Sequence, residues 1–371
     1  MFSCRDKACP VSTNTYQIAK LYLSKIVNFQ KSMSSPKSLN IAAKEMQKTL
    51  KKILLKHHFP KKRAEECATI FTQNSIDGIY THGINRFPRF LQYIQKGYVV
   101  PDAKPTLVHR FGGIEQWHGN LGAGPSNAIF ATERAMKLAK KNGIGCVALS
   151  HTNHWMRGGA YGWQAAKAGF TFIGWTNTTA NMPAWGATNP KLGNNPLVFA
   201  APYGDEAIVL DMAMSQYSFG AMELAVMKNE KLSVIGGYDK DSNLTNDPHL
   251  ILESWRSLPI GFWKGAGLSF LLDVLAALLS NGLATHEISQ KPAEMACSQV
   301  FIAIDMSKLV NYSSISTTID AIIQDYKTSI PMSGQGKISY PSERVLATRH
   351  KNDADGIPVL ESVWQEVLSF C

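Results

Sequence analysis

The chain of 371 residues is 45% apolar and 18% charged, with 28 Gly and 17 Pro, an ordinary globular profile that excludes a disordered chain, a collagen-like repeat and a coiled coil. Its net charge of +10 is concentrated at one end: residues 1–63 hold 14 Lys/Arg against 2 Asp/Glu, while the remaining 308 residues carry 24 basic and 26 acidic groups. No nucleic-acid motif accompanies the basic head, which therefore reads as a solvated face or tail rather than a phosphate-tracking groove.

Residues 1–38 read as an extension ending in the Ser-rich stretch around Ser34-Ser35-Pro36, with Met33 a candidate start. Apolar residues at 41, 46, 50, 53 and 54 predict a helix that Pro60 stops, and a second helix over 61–75 places Ala64, Cys67, Ala68 and Phe71 on one face. After the Asp77-Gly78 turn, Pro88 fits only the first turn of a helix starting near 85–87, so His82 falls in the turn just before it. A strand at 114–117, a helix at 125–141, a strand at 144–149, a helix at 161–168 and a strand at 170–175 then alternate, which indicates an α/β protein. Strands at 197–201 and 207–211 follow, then the apolar run Leu268 to Leu279, which contains Asp273. That run is too short and too polar to cross a bilayer and is expected to be a buried core helix over 264–279. A strand at 300–304 precedes a polar, helical C-terminus. Lys20 and Lys25 break up the only N-terminal apolar stretch, and the six cysteines are scattered without a CxxC pair, so a cytoplasmic protein with no secretory signal is expected.

Four places could carry chemistry. The stretch Gly119-Asn120-Leu121-Gly122-Ala123-Gly124 lies between a strand and a helix; its spacing is GxxGxG rather than GxGxxG, leaving a phosphate loop and a tight turn both open. His151 and His154 follow a strand, where α/β proteins bind ligands, but no third metal ligand stands near them. His82 with Arg86 four residues on pairs a proton donor with a fork for a carboxylate, as reduction of a 2-keto acid requires; a capping His and a solvated Arg are the alternative. Lys264 opens the apolar helix, where a lysine opposes the helix dipole unless an anion sits beside it.

Five stretches in order, Tyr80 to Phe90, Asn153 to Gly159, Trp185-Gly186 with Gly193 to Leu197, Asp211 to Ser215, and Trp263 to Gly265, resemble the type 2 malate/L-lactate dehydrogenase family from about Leu39 to the C-terminus. The resemblance implies a non-Rossmann NAD-binding α/β fold with a helical N-terminal domain, in a homodimer whose cofactor lies between domains and partly against the other subunit. On this reading residues 39–110 form the helical part, joined by 260–371, residues 111–259 form the α/β cofactor-binding domain, and 1–38 lie outside. Carried over residue by residue, the proton donor falls on His82, and Arg86 and His154 fall near the substrate. The cofactor-contacting strand falls on Ala207, Ile208, Val209, Leu210, Asp211, Met212 and Ala213, with further contacts at Trp263, Lys264, Ser342, Glu343 and Arg344; no metal is implied. Thr81 stands where Ser is usual and keeps the hydroxyl, and Ser342 to Arg344 follow Pro341 where a Gly is common. The implied reaction is reduction of a 2-keto acid by NADH, with NADPH the alternative donor, and neither nucleic acid nor membrane as partner. Malate, lactate and ureidoglycolate are the competing substrates within the family; a basic-headed binding protein without catalysis is the reading from another class.

Overall fold

The computed structural model describes residues 37–371 apart from Gln335, so most of the basic extension lies outside the described residues. β1 (Ser38–Ile41) leads into α1 (Ala43–Lys56) and α2 (Lys61–Ile76), which bury the faces that their 3.6-residue period marks, including Leu50, Ile53, Cys67 and Phe71. Two 3-10 turns, Tyr80–His82 and Ile84–Arg86, run straight into α3 (Phe87–Gln95), whose first turn holds Pro88.

β2 (Thr106–Phe111) and β3 (Ile114–His118) form a hairpin, followed by α4 (Gly124–Asn142), β4 (Ile144–Thr152), α5 (Gly159–Lys167) and β5 (Phe170–Thr176). α4 ends on Gly143 at φ +83, a left-handed conformation that glycine adopts without steric cost, with Lys140 and Lys141 in its last turn facing the negative end of the helix dipole. β6 (Ala180–Pro183) pairs with β7 (Pro190–Gly193), and β8 (Leu197–Tyr203) with β9 (Glu206–Met212). α6 (Phe219–Met227), the short pair β10 (Gly237–Tyr238) and β11 (Leu244–Thr245), and α7 (Pro248–Ser254) make a small lobe around Met222, Leu232 and Ile251. The chain ends with α8 (Trp263–Ser280), α9 (Thr285–Ile288), β12 (Cys297–Asp305), α10 (Ile315–Lys327), α11 (Glu343–Asp355), β13 (Ile357–Leu360) and α12 (Glu361–Leu368).

Seven strands form one sheet in the order β2-β3-β4-β12-β5-β8-β9, with β3 and β4 parallel and the other neighbours antiparallel. Alternation along β4 assigns the two faces: Val147 and Leu149 join the core made with α1 to α5, whereas Cys146 and Ala148 join Trp175, Val300, Leu272 and Ala276 beneath α8. The segment after residue 260 is shared between the two parts of the molecule. β13 pairs with β1 beside the N-terminal helices, while β12 sits in the middle of the sheet because its apolar residues alternate onto both covered faces.

α8 departs from the expected buried core helix. Its Ala266, Leu272 and Ala276 are buried, but Phe270 is 57% exposed and Leu278 71% exposed. A continuous apolar run implies cover all round, yet the sheet takes up only one stripe of this helix and leaves the other outward. It is also the one helix among the described residues long and apolar enough to span a membrane by length and composition, although its inner stripe is docked on the sheet.

Candidate active site

Three loops converge at one end of the helical layer. His82 closes the first 3-10 turn, where its carbonyl accepts from Asn74 Nδ2 at 2.9 Å and its Nδ1 lies 3.3 Å from Thr81 Oγ1. Its ring stacks on that of His154 with centroids 5.6 Å apart and planes 16° from parallel. His154 belongs to the loop after β4. The backbone N–H of Met156 donates to His154 Nδ1 at 2.9 Å, so the proton of this neutral imidazole sits on Nε2, 3.8 Å from Glu294 Oε1. Glu294 Oε2 in turn accepts from the backbone N–H of Thr179 at 3.3 Å and from its hydroxyl at 3.1 Å.

Burial is the main force holding the His82 pKa well below the ordinary imidazole value, reinforced by His154 and by the Arg86 and Arg157 guanidinium groups. His154 is lowered in the same way by burial, with Arg86 and Arg89 adding to it. Both rings are therefore neutral at neutral pH in the free protein.

The stretch Gly119 to Gly124 is a packing turn. A Cβ on Gly124 would lie 2.1 Å from the carbonyl oxygen of His154 and 2.5 Å from that of Asn153, so the start of α4 is closed by the chain's own backbone. Asn153 Nδ2 donates to the carbonyls of Tyr98, Leu121 and Gly122 at 3.0, 2.7 and 3.1 Å. The glycine pattern thus seats the loop that presents His154 and offers no seat for a phosphate. His151 and His154 also diverge, His151 stacking on His118 at 4.5 Å with its backbone at φ +49. Among the described residues no group of three or more His, Cys, Asp or Glu is placed to hold a metal.

His151 titrates in the same sense, its pKa lowered by burial and by His118 and Lys291. For all three histidines the unfolded chain binds protons more readily than the folded one. Their contribution to stability is full above the ordinary value of 6.5 and is lost as pH falls from there toward the lowered folded values. His151→Asn, which tolerates the left-handed backbone, should flatten the fall of the thermal unfolding midpoint between about pH 7 and pH 5; differential scanning calorimetry of both proteins checks this.

The residues expected to contact a cofactor fall into two places. Ala207 to Met212 lie on β9, the edge strand, and Ala213 follows it. Ser342 bridges to this strand: its Oγ donates to Ala207 O at 3.0 Å and accepts from the Val209 N–H at 3.3 Å. Ser342 holds φ +74, the left-handed region where glycine is favoured, and these two hydrogen bonds offset the strain. The next residue, Glu343, accepts from Lys327 through Oε1 at 2.9 Å, while its buried Oε2 has no partner. That leftover acceptor suits a ribose hydroxyl, so the residues present fit a pyridine nucleotide. Arg344 is exposed one position on.

Asp211 anchors the far end of the edge strand. It accepts from the Gly159 N–H at 2.7 Å and lies 3.9 Å from Arg157 Nε, and Arg157 is itself paired with Asp77. Arg349 Nε reaches the same Asp77 at 2.7 Å, so one buried carboxylate ties α2, α11 and the loop before α5 together. Trp263 and Lys264 open α8 directly after Pro259 and Ile260, which pair with Ser215 and Met214 just beyond Ala213; both are exposed, with no side-chain hydrogen bond or ion pair among the described residues.

Two carboxylates near the histidines carry no sequence motif. Glu294 lies in the irregular segment before β12, and Glu223 projects from α6, whose first turn packs on Thr81. Only spatial proximity reveals them.

A stacked, buried histidine pair with an arginine beside it is equipment that suits an oxidoreductase acting on 2-hydroxy or 2-keto acids. The chain belongs to the malate/L-lactate dehydrogenase family, whose model matches residues 41–368. It is 41% identical over 332 residues to the 2,3-diketo-L-gulonate reductase of Pasteurella multocida, covering 89% of this chain and 100% of that one. The fold is similar to that of malate dehydrogenase from Entamoeba histolytica, with a TM-score of 0.85 at 23% identity over 90% of this chain and 97% of that one. Sulfolactate dehydrogenase from Methanocaldococcus jannaschii aligns with a TM-score of 0.80 at 27% identity over 90% and 96% of the two chains.

Proposed function

We propose that this enzyme reduces 2,3-diketo-L-gulonate at its 2-keto carbon to 3-keto-L-gulonate with NADH. The observation that carries the reading is the His82–His154 stack beside Arg86, together with 41% identity over the full length of a reductase named for that substrate. When bound, NADH supplies the hydride. Arg86 holds the substrate carboxylate through its two-pronged guanidinium, and the carboxylate's charge cancels the arginine's depressing effect on His82. His82 can then carry a proton and deliver it to the oxygen of the reacting carbonyl. His154, with its Nε2 proton turned toward Glu294, holds the His82 ring in place and offers no second acid. Ala207 to Ala213 with Ser342, Glu343 and Arg344 line the dinucleotide, and Trp263 and Lys264 reach it from the start of α8.

The outward stripe of α8, with Phe270, Leu271 and Leu278, is proposed as the dimer face, and the cytoplasm as the location. Light scattering of the native protein tests the dimer. Initial rates of NADH and NADPH oxidation with 2,3-diketo-L-gulonate, pyruvate, oxaloacetate and ureidoglycolate's keto counterpart test the activity. A preference for diketogulonate with NADH supports the reading, and a strong preference for any other acid overturns it.

Lys264→Ala should weaken NADH binding by about 3- to 30-fold while leaving kcat within about twofold, because a lysine facing a phosphate contributes mostly uniform binding. Titration of NADH fluorescence with each protein checks this.

A further inference from the structure

Glu294 stands at the edge of the histidine pair, and neither the proton transfer nor the cofactor contacts use it. The backbone N–H and the hydroxyl of Thr179 hold its Oε2 at 3.3 and 3.1 Å, which leaves Oε1 as the free end of the carboxylate. Oε1 lies 3.8 Å from His154 Nε2, and the Met156 N–H on Nδ1 leaves the His154 proton on that same Nε2. A donor and an acceptor 3.8 Å apart are too distant to satisfy each other, and neither atom has a hydrogen-bond partner among the described residues. The two side chains keep 20% and 18% exposure, so the pair is reachable and not sealed in the core.

An oxygen that both accepts and donates bridges such a gap, which a hydroxyl can do and a methyl, a ketone or a carboxylate cannot. We propose that Glu294, together with the Nε2–H of His154, binds a hydroxyl in the tail of the substrate and so determines specificity for polyhydroxylated 2-keto acids. This rests on the functional reading above. The 5.6 Å between the His82 and His154 rings is within reach of a hydroxyl further along the carbon chain whose keto oxygen meets His82. The carboxylate of Glu294 also sets the direction of that chain, because it repels the substrate carboxylate and leaves that end to Arg86. A keto acid without tail hydroxyls leaves both atoms unpaired once water is excluded, which weakens its binding.

The test is the ratio of kcat/KM for 2,3-diketo-L-gulonate to that for pyruvate, which has no tail hydroxyl, measured in the wild type, in Glu294→Gln and in Glu294→Asp. A ratio does not depend on the fraction of active enzyme, so partial misfolding of a variant does not blur it. Should pyruvate turn over too slowly to time, its Ki as a competing ligand is set against the KM of diketogulonate, and the same change is expected. With its carbonyl oxygen on the two Thr179 donors, the amide of Glu294→Gln turns its NH2 toward His154, a donor where an acceptor stood. The ratio should then fall about 10- to 100-fold, the larger loss falling on diketogulonate. Glu294→Asp draws the carboxylate back from His154 and should lower the ratio in the same direction by a smaller factor; it decides in place of Glu294→Gln if that variant fails to fold. A gap filled by water alone, or an effect passing only through the His154 ring, would change both substrates alike. An active wild type whose ratio is unchanged in the variant therefore overturns this role for Glu294 and leaves the functional reading standing. A wild type that reduces neither acid overturns both.

Discussion

His82→Asn is expected to fold, to bind NADH with unchanged affinity and to lose about 10²- to 10⁴-fold in kcat, the usual share of a general acid. Asparagine keeps a polar group beside Thr81 but cannot hand over a proton at any accessible pH. The wild-type pH profile gives the same proposal a second reading. Since burial and two guanidinium groups depress the His82 pKa in the free enzyme, kcat/KM for reduction should decline with rising pH on a limb lying below the ordinary imidazole range. The substrate carboxylate offsets Arg86, so the corresponding limb in kcat should lie at higher pH. Oxidation of the alcohol needs the neutral ring and should rise where reduction falls.

Arg86→Gln should lower kcat/KM for the keto acid by about 10²- to 10³-fold, in line with the few kcal/mol lost when one partner of a desolvated charge pair is removed. Removing this cation also takes away one of the groups holding the His82 pKa down, so the limb in kcat/KM should move to higher pH even as the rate falls. Initial rates across pH 5 to 9 in wild type and variant check both effects. A rate loss with no shift of the limb would place Arg86 away from His82.

The regular helices and most strands of the sheet are legible in the chain because their periods are strong: α1, α2 and α4 begin and end within about two residues of the expected bounds. β2 is not, since its six residues are all exposed at a sheet edge and His109-Arg110 interrupts any apolar alternation. Nor does local patterning disclose that β12 lies between β4 and β5, or that β1 pairs with β13 from the other end of the chain; such pairings are decided by tertiary packing. α8 shows the converse limit, because apolar composition says that a helix will be covered and not by what.

In the site, the His82-to-Arg86 spacing and the loop of His154 stand out from the residues, and the structure stacks the two rings. Gly119 to Gly124 is conspicuous for its glycines, yet they serve the close approach of α4 to the backbone of Asn153 and His154. Glu223 and Glu294 give no signal along the chain. Glu294 belongs to the site only because Thr179 fixes it next to His154.

The most direct measurement is transfer of label from NADH deuterated at the nicotinamide C4 to 2,3-diketo-L-gulonate by the wild-type enzyme, with the product examined by mass spectrometry and NMR. The account predicts one deuterium at C2 of 3-keto-L-gulonate, formed at a kcat/KM above that for pyruvate or oxaloacetate. Deuterium at C3, or no transfer to this substrate while another keto acid is labelled readily, would contradict it.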